Sequence, residues 1–148
     1  MIDKQEFYRG AALIRLVNDD RLRSLTPHES GFLINNDTYA VVKYSTKATT
    51  PWRFTFTVGE LRVIHREAKR RRVVLALVCG GDGICAIGWG ELVPFLGDAR
   101  SWVSCRREFN KRYVVGGTGG DLPSRVPHNH WPGVAFSEED GAERESRR

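Results

Sequence analysis

Near the beginning of the chain, apolar residues recur at three- and four-residue steps, the spacing of one face of a helix. The predicted helix covers residues 3–18, with Asp3 as its N-cap and Glu6 three residues later, as in a capping box. A polar connection is expected from its end through Pro27. The apolar face of this helix is predicted to consist of Phe7, Ala11, Ile14 and Val17.

The pattern then changes to the short apolar runs and alternation that are typical of β-strands. Strands are predicted at 32–34 and 39–45, joined as a hairpin by the polar turn at 35–37. A further strand is predicted at 52–57, where aromatic residues occupy every second position. This alternation gives the strand one buried face.

A second helix is predicted to begin at another capping box, formed by Thr57 and Glu60. It ends in the basic residues 69–72, which suit the negative end of the helix dipole. The apolar run at 73–78 predicts a strand covered on both faces, with a hairpin partner at 84–87. The remaining predicted elements are a short helix at 91–96 and strands at 102–105 and 112–115.

This order of elements predicts an α+β domain with an α/β-like core. A mixed central sheet of about five to seven strands would be flanked by helices. A single domain is expected at 1–132, with its core at 3–115 and a loop-rich part at 116–132. The last residues, 133–148, are predicted to form a disordered charged tail.

Composition favours a soluble cytoplasmic protein without a membrane partner. No apolar run approaches the ~20 residues that span a bilayer, and residues 1–6 are too polar for a signal peptide. An odd number of cysteines without a CxxC pair does not suit a disulfide framework. Cys79, Cys85 and Cys105 are therefore expected to be buried free thiols.

Three segments carry a resemblance to a known family: 39–47 (Tyr-Ala-Val-Val-Lys-Tyr-Ser-Thr-Lys), 52–56 (Trp-Arg-Phe-Thr-Phe) and 73–78 (Val-Val-Leu-Ala-Leu-Val). Over residues 3–96 the layout resembles the core of the PD-(D/E)xK, or restriction-endonuclease-like, superfamily. It is most similar to divergent members in which a strand ending in Val-x-Val-Lys precedes an aromatic strand, a helix and a buried hairpin. It also resembles a family of bacterial proteins. The resemblance implies a restriction-endonuclease-like fold.

Enzymes of that superfamily place two acids and a lysine around magnesium, which polarises the scissile phosphate and activates water. The resemblance implies Glu6 and Asp37 as the metal-binding acids and Lys43 as the lysine. The sequence departs from the pattern at Val41, two residues before the lysine, because valine cannot bind a metal. The resemblance therefore implies a catalytically degenerate domain rather than an enzyme, with magnesium as cofactor only in an active nuclease.

The net charge of +5 is unevenly distributed along the chain. Residues 137–148 carry −2, so the rest carries +7, a balance that favours a polyanionic partner. Basic residues are concentrated at 43–53, 66–72 and 106–112. If the sheet brings the first and last groups together, phosphates could bind across them while Trp52 or Trp102 stacks on bases. The residues expected to bind nucleic acid are Lys43, Lys47, Trp52, Arg53, Arg106 and Arg107.

Each candidate also has a purely structural interpretation. Glu6 can be a capping acid, Asp37 a turn residue and Lys43 the solvent side of its strand, while the arginine-rich helix end can be a solvated surface. Three functions therefore stay open. They are a degenerate nuclease-like domain that binds nucleic acid, a divergent magnesium-dependent nuclease, and a module that binds a protein through a sheet edge or an aromatic patch.

Overall fold

A computed structural model describes residues 1–96 and 99–137 of the chain. The helices are α1 (Lys4–Val17), α2 (Val58–Ala68) and α3 (Trp89–Leu92), with 3-10 turns at Val93–Phe95 and Gly133–Ala135. The strands are β1 (Leu25–His28), β2 (Gly31–Ile34), β3 (Thr38–Ser45), β4 (Trp52–Phe56), β5 (Arg72–Cys79), β6 (Gly83–Gly88), β7 (Ser101–Arg106), β8 (Val114–Gly117) and β9 (Gly120–Asp121). The predicted α+β class is confirmed. Within these ranges, no helix combines the length and the apolar character that crossing a membrane requires.

Within the described residues, the central sheet has five strands in the order β1-β2-β3-β5-β6. β3 and β5 are parallel, whereas the other neighbours are antiparallel. Parallel neighbours need a crossover connection, which β4 and α2 supply. The central sheet is therefore mixed, as predicted, and both of its predicted hairpins are present.

The aromatic strand does not join the central sheet. β4 pairs with β7, and β8 and β9 complete a separate antiparallel sheet. The predicted alternation is confirmed, because Trp52, Phe54 and Phe56 are buried while Arg53 and Thr55 are exposed. A strand with one apolar face suits a sheet that packs on one side only, whereas an interior strand of the central sheet must be apolar on both.

Apolar cores cover both faces of the central sheet. One core lies between this sheet, α2 and the second sheet, and includes Leu75 and Phe54. The other lies under α1 and the C-terminal residues, and includes Leu16 and Trp131. β5 is buried from its second residue to its last, which confirms the strand predicted to be covered on both faces.

The apolar face predicted for α1 is not the face that packs. Phe7, Ile14 and Val17 are 64%, 55% and 58% exposed. The helix instead contacts the sheet through Ala12 and Leu16, which are fully buried. Two apolar stripes run along this helix, and spacing alone does not show which one faces the sheet. The Ala12 backbone carbonyl accepts a hydrogen bond from Trp131 Nε1 at 3.0 Å, so the Trp131 side chain lies against this stripe.

The other differences fall at edges and ends. β1 was expected to be a polar connection; its proline is tolerated because the strand lies at the sheet edge. The predicted strand at 112–115 begins later, at Val114. Residues 133–137 belong to the described structure rather than to a tail, since Ala135 and Phe136 are buried in the second core. The rest of the predicted tail, residues 138–148, lies outside the described residues.

Candidate nucleic-acid interface

The outer face of the second sheet carries polar and basic side chains next to an aromatic ring. Arg53 of β4 lies opposite Ser104 of β7, and Thr55 lies opposite Trp102. The Arg53 guanidinium lies over the Trp102 ring, 4.2 Å from its centroid. This cation–π contact stacks a positive charge on the indole ring at the outer face of the sheet.

A groove of about 450 Å³ adjoins this face at the end of β7. The loop between β7 and β8 forms much of its wall, and Arg125 reaches it from a distant part of the chain. Tyr113 and Val126 form an isolated antiparallel bridge, whose register brings Arg125 next to Val114 at the groove. The lining residues are Thr50, Pro51, Arg106, Arg107, Glu108, Lys111, Arg112, Val114 and Arg125.

Four cations of this groove have no acidic partner in the described part of the chain. Among residues 1–96 and 99–137, no carboxylate lies within ion-pair distance of Arg106, Lys111, Arg112 or Arg125. All four side chains are exposed. Water and dissolved anions therefore screen the repulsion between these four charges. An anionic ligand could take their place. We use the name basic face for Arg53, Trp102, Arg106, Lys111, Arg112 and Arg125.

Arg107, the remaining cation of the groove, is held by the protein itself. It donates to both Asp82 carboxylate oxygens, at 2.6 and 2.8 Å, and Tyr113 Oη donates to the same carboxylate at 2.9 Å. The hydrogen bonds from Arg107 hold the pKa of Asp82 below its usual value, against the opposing effect of burial. Arg107 therefore anchors the β7–β8 loop to the turn between β5 and β6.

An aromatic side chain projects from the same loop. Phe109 is 86% exposed and is followed by Asn110, which has a positive φ of 61°. A left-handed residue at this point is typical of a tight loop end, and asparagine tolerates it well. The loop therefore presents a phenyl ring between the basic residues on either side of it.

The other predicted nucleic-acid contacts are divided between two regions. Arg53 and Arg106 lie on the basic face, and Lys47 is exposed in the connection that precedes β4. Trp52 cannot stack on a base, because it is only 2% exposed and its Nε1 donates to the Lys47 carbonyl. Lys43 lies on the central sheet, where Nζ donates to Glu60 Oε2 at 2.5 Å and lies 4.7 Å from the centroid of the Phe56 ring.

The structure does not bring the predicted catalytic side chains to one point. Asp37 precedes the first residue of β3 and Lys43 is six residues further on, which at ~3.3 Å per residue is roughly 20 Å. Asp37 accepts a hydrogen bond from Thr38 and lines a groove with the arginines that follow α2. Glu6 is exposed in the first turn of α1, where its N–H bonds to Asp3.

Sequence reasoning missed Arg125 and Phe109. Arg125 is distant in sequence from the loop that it joins, and only the bridge between Tyr113 and Val126 brings it there. Phe109 carries no periodic signal because it lies in a loop. By contrast, the expectation that the three cysteines are buried free thiols is confirmed.

Comparison with known proteins adds no further assignment. No family model, no curated protein and no solved structure matches this chain. The resemblance to the restriction-endonuclease-like superfamily therefore stays a prediction.

Proposed function

We propose that the protein binds single-stranded nucleic acid through the basic face. The observation that carries this proposal is the set of four exposed cations around one groove, without acidic partners in the described structure. Lys and Arg side chains that contact phosphates release condensed counterions, which supplies most of the affinity for a nucleic-acid backbone. A groove lined by such cations is suited to a phosphate chain.

The aromatic groups favour a single strand over a duplex. Phe109 on the loop offers an exposed ring, and the Arg53 guanidinium that stacks on the half-buried Trp102 offers a second planar surface near the cations. Stacking on an aromatic ring needs an unpaired base, and it is worth about 1–3 kcal/mol per base. Phosphates bound in the groove would leave neighbouring bases within reach of these surfaces.

The proposal is one of binding without cleavage. Val41 takes the place of the acid expected two residues before Lys43, and Lys43 is paired with Glu60. Asp37 lies at the other end of the same strand. This arrangement supports a degenerate nuclease-like domain better than a magnesium-dependent nuclease.

A salt titration with a labelled single-stranded oligonucleotide tests the proposal. Fluorescence polarisation should give an affinity that falls linearly with salt on a double logarithmic plot. The variant Arg106→Gln/Lys111→Gln/Arg112→Gln should bind more weakly and lower the slope by about 2, since each single-strand phosphate contact contributes about 0.7. DNA and RNA versions of the same oligonucleotide, single-stranded and paired, would show the preferred form.

The matched control is Arg62→Gln/Lys69→Gln/Arg70→Gln, which removes the same charge from exposed positions on and after α2. It should keep most of the affinity and the wild-type slope. Equal losses in the two variants would mean that only net charge matters, and an affinity independent of salt would reject phosphate binding.

A further inference from the structure

A cluster of ionisable side chains lies at one edge of the central sheet, away from the basic face. His28 ends β1, Glu29 follows it in the turn to β2, and Glu67 lies in the last turns of α2. One nitrogen of His28 and one carboxylate oxygen from each glutamate all lie within 4.8 Å of one another. His28 Nε2 and Glu67 Oε1 are in direct contact.

The three donors differ in exposure in a way that leaves the cluster open on one side. The Glu67 side chain is 1% exposed, whereas His28 and Glu29 are 31% and 42% exposed. Glu29 has a positive φ of 53°, a conformation that glutamate rarely adopts. The hairpin turn thus places two accessible donors over one buried carboxylate.

Buried polar atoms at this place are left without hydrogen-bond partners. Glu67 Oε2 has none in the described structure, since Arg71 Nε, at 3.3 Å, forms a charge contact without hydrogen-bond geometry. The Tyr39 phenol oxygen is also buried without a hydrogen-bond partner of good geometry among the described residues. The Tyr39 ring packs edge-on against the His28 imidazole, with 5.7 Å between the ring centroids, so it belongs to the same cluster. A buried carboxylate oxygen that has a charge contact with Arg71 but no hydrogen bond is costly, and a bound cation would stabilise it.

We propose that His28, Glu29 and Glu67 bind a first-row divalent cation of the zinc type. One imidazole nitrogen and two carboxylates form a donor set that suits Zn²⁺, which also accepts water at an open position. Magnesium prefers oxygen donors throughout, so the imidazole disfavours it. This inference does not depend on nucleic-acid binding, because the two sites share no residue.

Two arginines neutralise the carboxylates when no cation is bound. Arg66 Nη2 lies 2.6 Å from Glu29 Oε1, and both side chains are about half exposed. Arg66 can therefore move into solvent when Glu29 turns to a metal ion. A bound metal ion and Arg66 would therefore compete for the Glu29 carboxylate. In a simple ion-pair network without a metal site, no such competition would occur.

Calorimetric titration of the full chain with ZnCl₂, after treatment with a chelator, tests the proposal. We expect one zinc ion per chain. His28→Ala and Glu29→Gln should each weaken binding by about tenfold or more, because each removes a ligand. Arg66→Ala should strengthen binding, since it removes the competitor. Glu29 and Arg66 are exposed enough for their variants to fold, and circular dichroism checks this.

The matched controls are His65→Ala and Glu91→Gln, an exposed imidazole and an exposed carboxylate outside the cluster. Both should bind zinc as the wild type does. Weakening by Glu91→Gln equal to that by Glu29→Gln would overturn the proposal, as would the absence of stoichiometric binding or an unchanged affinity in Arg66→Ala.

Discussion

Two regions of this protein are rich in positive charge, but they use it differently. Beside α2, Lys43 pairs with Glu60, Arg66 with Glu29 and Arg71 with Glu67. On the basic face, Arg106, Lys111, Arg112 and Arg125 pair with no described carboxylate.

The two regions look alike in the sequence, where each is a short run of Lys and Arg. The difference is that Lys43, Arg66 and Arg71 are neutralised within the fold, while the exposed cations left beside α2 are not gathered around one groove as the four of the basic face are. A count of basic residues therefore does not identify a binding surface. What marks the basic face is that four cations without an ion-pair partner among the described residues line one groove, and this is a property of the folded chain.

The largest effect on stability is expected from removing the buried acid of the α2 region. Glu67→Gln would leave Arg71 and His28 without their shared carboxylate, and should lower the free energy of unfolding by about 2–3 kcal/mol. Urea denaturation in the absence of metal measures this. Glu29→Gln is the control, since its exposed pair with Arg66 should contribute less than about 1 kcal/mol. Similar losses in both variants would show that burial does not set the energy of these pairs.

An intermediate effect is expected at Asp82, the acidic partner of the groove cation Arg107. Asp82→Asn should cost about 1–2 kcal/mol, because it weakens the paired hydrogen bonds from Arg107. It should not weaken nucleic-acid binding, since no cation of the basic face is removed. Polarisation measurements that show a clear loss of affinity would place Asp82 in the binding surface instead.

The stability difference at Asp82 should also depend on pH. Its pKa is lowered in the folded protein, so its contribution is present above the unfolded value of about 3.9. The contribution is lost as the pH falls through the lower folded value. Wild type and Asp82→Asn should therefore differ at about pH 7 and converge at about pH 2–3 in urea denaturation. A difference that grows in acid would contradict the cause assigned to this pKa.

The smallest effect is expected at Lys43. Lys43→Met should cost less than about 1 kcal/mol, because its pair with Glu60 is only partly buried. Burial raises the pKa of Glu60, whereas Lys43 and hydrogen bonds with Thr57 together hold it below its usual value, so this pKa should rise in the variant. Nucleic-acid affinity should not change, whereas Arg53→Gln on the basic face should reduce it. Fluorescence polarisation with both variants compares the two regions directly. Equal losses of nucleic-acid affinity would show that the two regions do not differ in binding.

The sequence predicted helices and strands well where they depend on residues that are close together in the chain. The capping box of Thr57 and Glu60 is present in full, with each side chain bonded to the other residue's backbone N–H. The apolar run of β5 is buried as expected. Because both faces of this strand are covered, its burial does not depend on which way each side chain points. In α1, by contrast, two apolar stripes satisfied the same period, and the packing of Ala12 and Leu16 decided between them.

The sequence by itself determined the α+β class, the caps, the hairpins and the approximate positions of most strands, because these depend on neighbours a few residues apart. Only the tertiary structure decided that the aromatic strand belongs to a second sheet, that Trp52 is buried, and that Lys43 and Asp37 lie far apart. It also decided which cations meet carboxylates. Charge pairing depends on distances of a few ångströms between residues distant in the chain, and the fold alone sets those distances.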